Sequence, residues 1–207
     1  MNVDVAPYPG LAVHVLAATF PQPLGASPTP AWLLELLRLG APAPVRAGDG
    51  VRTAVRDLLR GHGYRPTGRG KPSSEYLVAA VGEGKLGPIN AAVDAGNVVS
   101  LHSGLPISVV DRDRLRGALR IAVPPAGSAY VFNRSGQTID VAGLLSLCDD
   151  DGPCANAVKD AQRTKTSPET TRVLAIVWGA VSPDEAHAGA TAAWLREVFT
   201  RLGAVVD

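Results

Sequence analysis

The chain is 207 residues long, 46% hydrophobic and 5% aromatic, with a formal net charge of +1 at pH 7. That length holds one large domain or two intimate ones with a substantial core, and the composition excludes a disordered chain. Near-zero charge gives no whole-molecule electrostatic case for nucleic acid or membrane, and no apolar run approaches the ~20 residues of a bilayer span. With only Cys148 and Cys154 and no signal peptide read at the start, the expectation is a cytoplasmic protein with unpaired thiols.

Residues 11–17 form a short apolar run that reads as a buried strand, with His14 a core or edge side chain. Prolines 21, 23, 28 and 30 precede residues 31–39, a helix stopped by Gly40. Its apolar residues extend almost all round, which predicts deep burial. Residues 51–60 read as a second helix, with Asp49 as a candidate N-cap and Gly61 as the stop. Val55, Leu58 and Leu59 face a core, whereas Arg52, Arg56 and Arg60 recur every four residues as a basic stripe. Arg65, Arg69 and Lys71 follow in a glycine-containing loop. Such a stripe is either a solvated face, part-neutralised by Asp57, or a phosphate-contacting surface, because RNA affinity depends on local Lys and Arg. Residues 73–81 read as a short helix with a serine cap, ended by Gly82.

The chain is organised around residues 88–111. Pro88 sits at a first-turn position, and Ser103-Gly104 with Pro106 supplies the stop. Between them Asn90, Asp94 and Asn97 recur at spacings of four and three and so share one helix face. Two amides and a carboxylate in one stripe offer donors and acceptors, either for a ligand or for neighbouring loops in the core. Further on, residues 119–123, 129–132 and 138–141 are short β-rich runs, with a hairpin turn at 133–136. Asp149 to Asp151 have the look of a metal loop but lack the other hard ligands of a calcium pattern. Residues 173–178 are the clearest strand, continuous and β-branched, hence central and covered on both faces. Ser182, Pro183 and Glu185 then form a capping-box pattern, and the helix that follows places Ala193, Leu195, Val198, Phe199 and Leu202 inward.

No phosphate-binding Gly-Lys-Ser/Thr loop, nucleophile elbow or paired-histidine metal site is present, and His14, His62, His102 and His187 are scattered. The polar residues converge instead on the central helix and on residues 159–171. There, Lys159 and Arg163 lie one turn apart if the segment is helical. That run reads either as ligand-binding or as a structural polar loop.

The order Asn90, Val93-Asp94, Asn97, Gly104-x-Pro106 and Asp111 resembles the B3/B4 editing domain of the phenylalanyl-tRNA synthetase β subunit, and still more its freestanding relatives. Arg65 to Gly68, Lys71 to Glu75, Lys159 to Thr166 and Thr170-Thr171 share the likeness, which covers roughly residues 51–181. It implies an α+β fold in a single domain: a mixed β-sheet with packed helices, residues 1–50 packed on as an N-terminal extension, and a C-terminal helix in 182–207. It also implies binding of misacylated tRNA and hydrolysis of its aminoacyl ester, with no cofactor, metal or membrane. On that reading the catalytic candidates are Asn97, Asp94, Asp160 and Thr164, and the substrate-binding ones Asn90, Ser108, Lys159, Arg163 and Thr166. Arg52, Arg56, Arg60, Arg65, Arg69 and Lys71 would meet RNA. The family's helix asparagine falls on Asn97 and its pocket histidine on Ser108, while its pocket glutamate falls near Ile176 or Val177 and is missing. A serine is no base at neutral pH and an apolar side chain cannot orient water, so synthetase-type specificity for tyrosine is not implied. The alternatives are a non-catalytic tRNA-binding module or a small-molecule-binding protein on the same fold.

Overall fold

The computed structural model describes residues 2–26, 28–181 and 184–207. In chain order the elements begin with Asp4–Val5 (β1), Leu11–Thr19 (β2), Ala31–Leu36 (α1), Val51–Arg60 (α2), Ser73–Gly82 (α3) and Ala91–Ser103 (α4). Ile107–Asp111 (β3), Arg120–Ala122 (β4), Ala129–Val131 (β5), Thr138–Asp140 (β6), Ser146–Asp149 (β7) and Gly152–Asn156 (β8) follow. Arg172–Ala180 (β9), Glu185–Arg201 (α5) and Val205–Val206 (β10) complete the fold.

The architecture is α+β, with two four-stranded sheets and a separate hairpin. One sheet has the order β10-β2-β9-β3 and is antiparallel throughout; the other, β1-β4-β7-β8, is mixed, its parallel pair being β1 with β4. The parallel character thus lies in the second sheet and not around β9. Strands β5 and β6 pair as an antiparallel ribbon closed by the turn at 133–136.

β9 explains the layering. Its side chains alternate between faces, as a strand's must. Val173, Ala175 and Val177 pack against α4 and α5, while Leu174, Ile176 and Trp178 pack into a second core with the β4, β7 and β8 sheet. Both faces are therefore covered, which is why its sequence is continuously apolar. β2 pairs with β9 along all nine of its residues, so the first fifty residues thread through the middle of a sheet. The order of layers is helices, antiparallel sheet, mixed sheet. β3 and β8 are the last strands of their sheets and stand beside each other, and Val110 of β3 bridges to Lys165.

Several local expectations are corrected. α1 ends at Leu36, and only Leu33 in it is buried, because the helix is too short to wrap its apolar faces into the core. α2 begins behind Gly50, in the left-handed region, with no side-chain cap from Asp49. α3 follows Pro72 without a serine cap bond. α4 starts at Ala91, three residues after Pro88, because Asn90 caps it: its Oδ1 accepts the Val93 N–H at 3.0 Å. The proposed Ser182 cap and Pro183 lie outside the described residues; Asp184 is the N-cap of α5, accepting the Ala186 N–H at 3.0 Å. In α5 the inward face carries Trp194 while Ala193 is exposed. No helix among the described residues is long and apolar enough to cross a membrane.

Candidate functional site

Where the margins of the two sheets meet the helical layer, a cavity of about 500 Å³ opens. Ser73, Tyr76, Leu77 and Ala80 of α3 form one wall, Asn97 of α4 and Ile107 of β3 another. Phe132 and Gln137 come from either side of the hairpin turn, and Val158 and Lys159 from the loop after β8. A second hollow of about 530 Å³ shares Arg69, Phe132, Gln137 and Lys159 with it, so these four line both spaces.

Each wall is held by a specific network. Gly96 lets α4 lie close on β3: a methyl group there would stand 2.8 Å from Val109 Cγ2. That close approach sets the depth of Asn97, one residue on. The β8 loop is shaped by Asn156, whose Oδ1 accepts the Val158 and Lys159 N–H groups at 2.8 and 3.0 Å. Its amide also donates to the Tyr130 hydroxyl, which donates to the Lys159 carbonyl at 2.5 Å. Lys165 Nζ donates to the Phe132 carbonyl at 2.6 Å, fixing the end of the hairpin. The Lys159 ammonium lies 4.2 Å from the centroid of the Phe132 ring, a cation–π contact. Burial, with Arg69 and Lys165 nearby, lowers the Lys159 pKa.

The helix stripe behaves as three different residues. Asn90 is the cap and donates through Nδ2 to Thr166 Oγ1 at 3.1 Å. Asp94 is fully buried; it accepts the Thr29 hydroxyl at 2.5 Å and the Ile89 N–H at 3.1 Å, and burial raises its pKa. Only Asn97 lines the cavity, and among the described residues nothing hydrogen-bonds its amide. Ser108 is buried, donates to Asp160 at 2.7 Å and accepts the Trp178 indole N–H at 2.9 Å. Asp160 also accepts the Asn156 N–H at 3.3 Å, and burial pushes its carboxyl up to about 6.

Of the 159–166 run, only Lys159 lines the cavity. Arg163 forks onto Asp149 at 2.6 and 2.9 Å and donates to the Gly152 carbonyl, whereas Thr164 is buried and donates to the Cys154 carbonyl at 3.1 Å. Lys159 and Arg163 do not share a helix, for only 162–164 turns, as one 3-10 turn. None of the four histidines lines the cavity.

The basic stripe of α2 is more engaged than its spacing implies. Glu75, on α3, takes Arg56 in a fork at 2.6 and 2.8 Å and Arg52 at 3.0 Å, while Arg60 pairs with Asp57 at 2.6 Å. Burial pushes the Glu75 carboxyl up, but the hydrogen bonds from Arg56 and Arg52 outweigh it and hold the pKa down. Arg65 and Arg69 are exposed, and Lys71 is half-buried with its ammonium 5.5 Å from the Tyr76 ring centroid. Sequence reasoning missed the hairpin residues Phe132 and Gln137 and the α3 wall. The hairpin turn itself was readable, but nothing in the sequence says which space it overhangs.

A cavity of this size, apolar with a few convergent polar groups and placed between layers, has the form of a ligand-binding site on an α+β domain. The B3/4 domain profile matches residues 65–186, more than half of the chain, and the chain belongs to that family. It is also similar to the phenylalanine–tRNA ligase beta subunit of Cutibacterium acnes, 27% identical over 107 residues. That alignment spans 51% of this chain and 13% of the ligase subunit, so the chain covers a small part of that relative's length.

Proposed function

We propose that the chain is an editing-type deacylase that binds misacylated tRNA of the cytoplasmic pool and hydrolyses its aminoacyl ester in trans, without a metal. The observation that carries the reading is Asn97, whose unengaged amide reaches a cavity bordered by Arg69 and Lys159. Membership of the B3/4 family and the likeness to a phenylalanine–tRNA ligase subunit support it. Ester hydrolysis needs a placed water and a stabilised oxyanion, and no covalent enzyme intermediate. The Asn97 amide can orient water or carbonyl, and the two cations can balance the developing charge or grip terminal phosphates. Asn90, Asp94 and Thr166 act as positioning residues that fix the start of α4; Ser108 and Asp160 brace the β3–β8 wall, and Arg163 and Thr164 brace its loop. Arg65, Arg69 and Lys71 are the foremost RNA contacts, with Arg52, Arg56 and Arg60 behind them.

One observation favours a second reading, a tRNA-binding module that does not cleave: among the described residues lining the cavity there is no histidine or carboxylate to serve as base. The deciding experiment is a deacylation panel of many aminoacyl-tRNAs, including non-cognate and non-protein amino acids. The deacylase reading expects at least one ester to be cleaved well above its spontaneous rate and chelator to leave that rate intact. If salt-dependent tRNA binding persists while every ester decays spontaneously, the module reading replaces it.

A further inference from the structure

The cavity contains cations without anions. Arg69 and Lys159 line it, and among the described lining residues there is no Asp or Glu. Nearby carboxylates are engaged elsewhere. Asp160 accepts from Ser108 and Asn156, and Glu75 is clamped by Arg52 and Arg56. Asp140, the one acid among the described residues of the adjoining hollow, accepts the Ala142 N–H at 2.8 Å. An ordinary aminoacyl ester carries an α-ammonium on the carbon next to the acyl carbon. Brought beside Lys159, that ammonium meets like charge, loses its water and finds no carboxylate in return. The rest of the wall suits a neutral ligand. Leu77, Ile107 and Val158 face an apolar body, and the Asn97 and Gln137 amides offer donors and acceptors to an uncharged amide or hydroxyl.

Resting on the deacylase reading above, we propose that this cavity selects acyl esters whose α-substituent is uncharged, N-acylaminoacyl or α-hydroxyacyl groups with an apolar side chain, over free-amine aminoacyl esters. Lys159 is the specificity-determining residue, and the discrimination is electrostatic.

The test uses one tRNA carrying leucyl, N-acetyl-leucyl or 2-hydroxy-4-methylpentanoyl esters, with two non-hydrolysable 3′-amide adenosine analogues, leucyl and N-acetyl-leucyl, for affinity. At pH 7 both neutral esters should show kcat/KM at least about 10-fold above the leucyl ester, and the N-acetyl amide should bind at least about 10-fold tighter. The gap should narrow above pH ~8, where a free α-amine loses its proton. Lys159→Glu should reverse the order, Lys159→Met should shrink it, and Asp140→Asn should leave it unchanged. Equal or tighter binding of the free-amine analogue overturns the proposal, even if all esters are hydrolysed. Conversely, the expected order of affinities with no ester cleaved upholds the charge selection and removes the deacylase reading. If neither analogue binds, both fall.

Discussion

Asn97 and Ser108 occupy neighbouring elements but are tied to the protein in opposite ways. With no described hydrogen-bond partner, the Asn97 amide can be removed without leaving a buried group unpaired. Asn97→Ala should therefore lower deacylation by ~100-fold, the scale of losing one positioned polar group, while shifting unfolding free energy by less than about 0.5 kcal/mol. Single-turnover deacylation and urea denaturation of the same preparation check both halves. Ser108, in contrast, is 1% exposed and sits between the Asp160 carboxyl and the Trp178 indole N–H. Ser108→Ala strands the buried Trp178 N–H and leaves Asp160 only the Asn156 N–H, so it should cost about 1–3 kcal/mol of stability in the urea titration. The likeness to editing domains singled out this position. Its partners, fifty-two and seventy residues away, were not legible because they exist only once β3, β8 and β9 are assembled.

Among the elements, those with local punctuation were the readable ones. α2 and α3 end at glycines, and the β5–β6 hairpin announces itself by its Asn-Arg-Ser-Gly turn. β7 and β8 were missed because a run such as Gly-Pro-Cys-Ala-Asn has no β-branched residue; pairing in the second sheet, not propensity, makes it a strand. β3 was hidden behind the stop of α4. The same limit applies to α2, whose arginine spacing was plain while its neutralisation by Glu75 from another helix was not. Charge reversal at Arg65 or Arg69 should therefore reduce the slope of log tRNA affinity against log salt by about one each, whereas Arg56→Gln should change stability more than slope. Filter binding across a salt series separates them, and an undiminished slope in both loop variants would remove that surface from the RNA interface. Gly96 gives the packing counterpart. Alanine there gains up to about 1 kcal/mol of helix propensity but drives a methyl to 2.8 Å from Val109, with overpacking costs of about 1–3 kcal/mol. Gly96→Ala should be net destabilising and should weaken any activity that depends on the depth of Asn97, as thermal unfolding and the deacylation rate would report.

At the scale of the whole molecule, the two sheets are joined at their margins through Asp160. Its Oδ1 takes Ser108 of β3 at 2.7 Å and the Asn156 N–H of β8 at 3.3 Å, and Ser108 in turn takes Trp178 of β9. Burial drives the carboxyl up to about 6, against the pull of the Ser108 hydrogen bond and the nearby Lys165 ammonium. An unfolded aspartate titrates near ~3.9, so between pH ~4 and ~6 the folded chain keeps a proton that the unfolded chain has released. The native state then binds more protons than the unfolded one, and the contribution of Asp160 to stability falls as pH rises through that window. The full loss, at most about 3 kcal/mol, is present above the folded pKa. Asp94, also raised by burial, works in the same direction, whereas Glu75 and Asp149, held low by their arginines, lend stability that disappears only in stronger acid. Comparing wild type with Asp160→Asn cancels those other groups. An amide oxygen still accepts the Ser108 hydroxyl but carries no charge at any pH, so the variant should gain about 2–3 kcal/mol relative to wild type between pH 4 and pH 7.5. Urea midpoints at the two pH values, converted with a common slope, measure it; a difference independent of pH would show that the carboxyl at the seam of the two sheets titrates as it does in the unfolded chain.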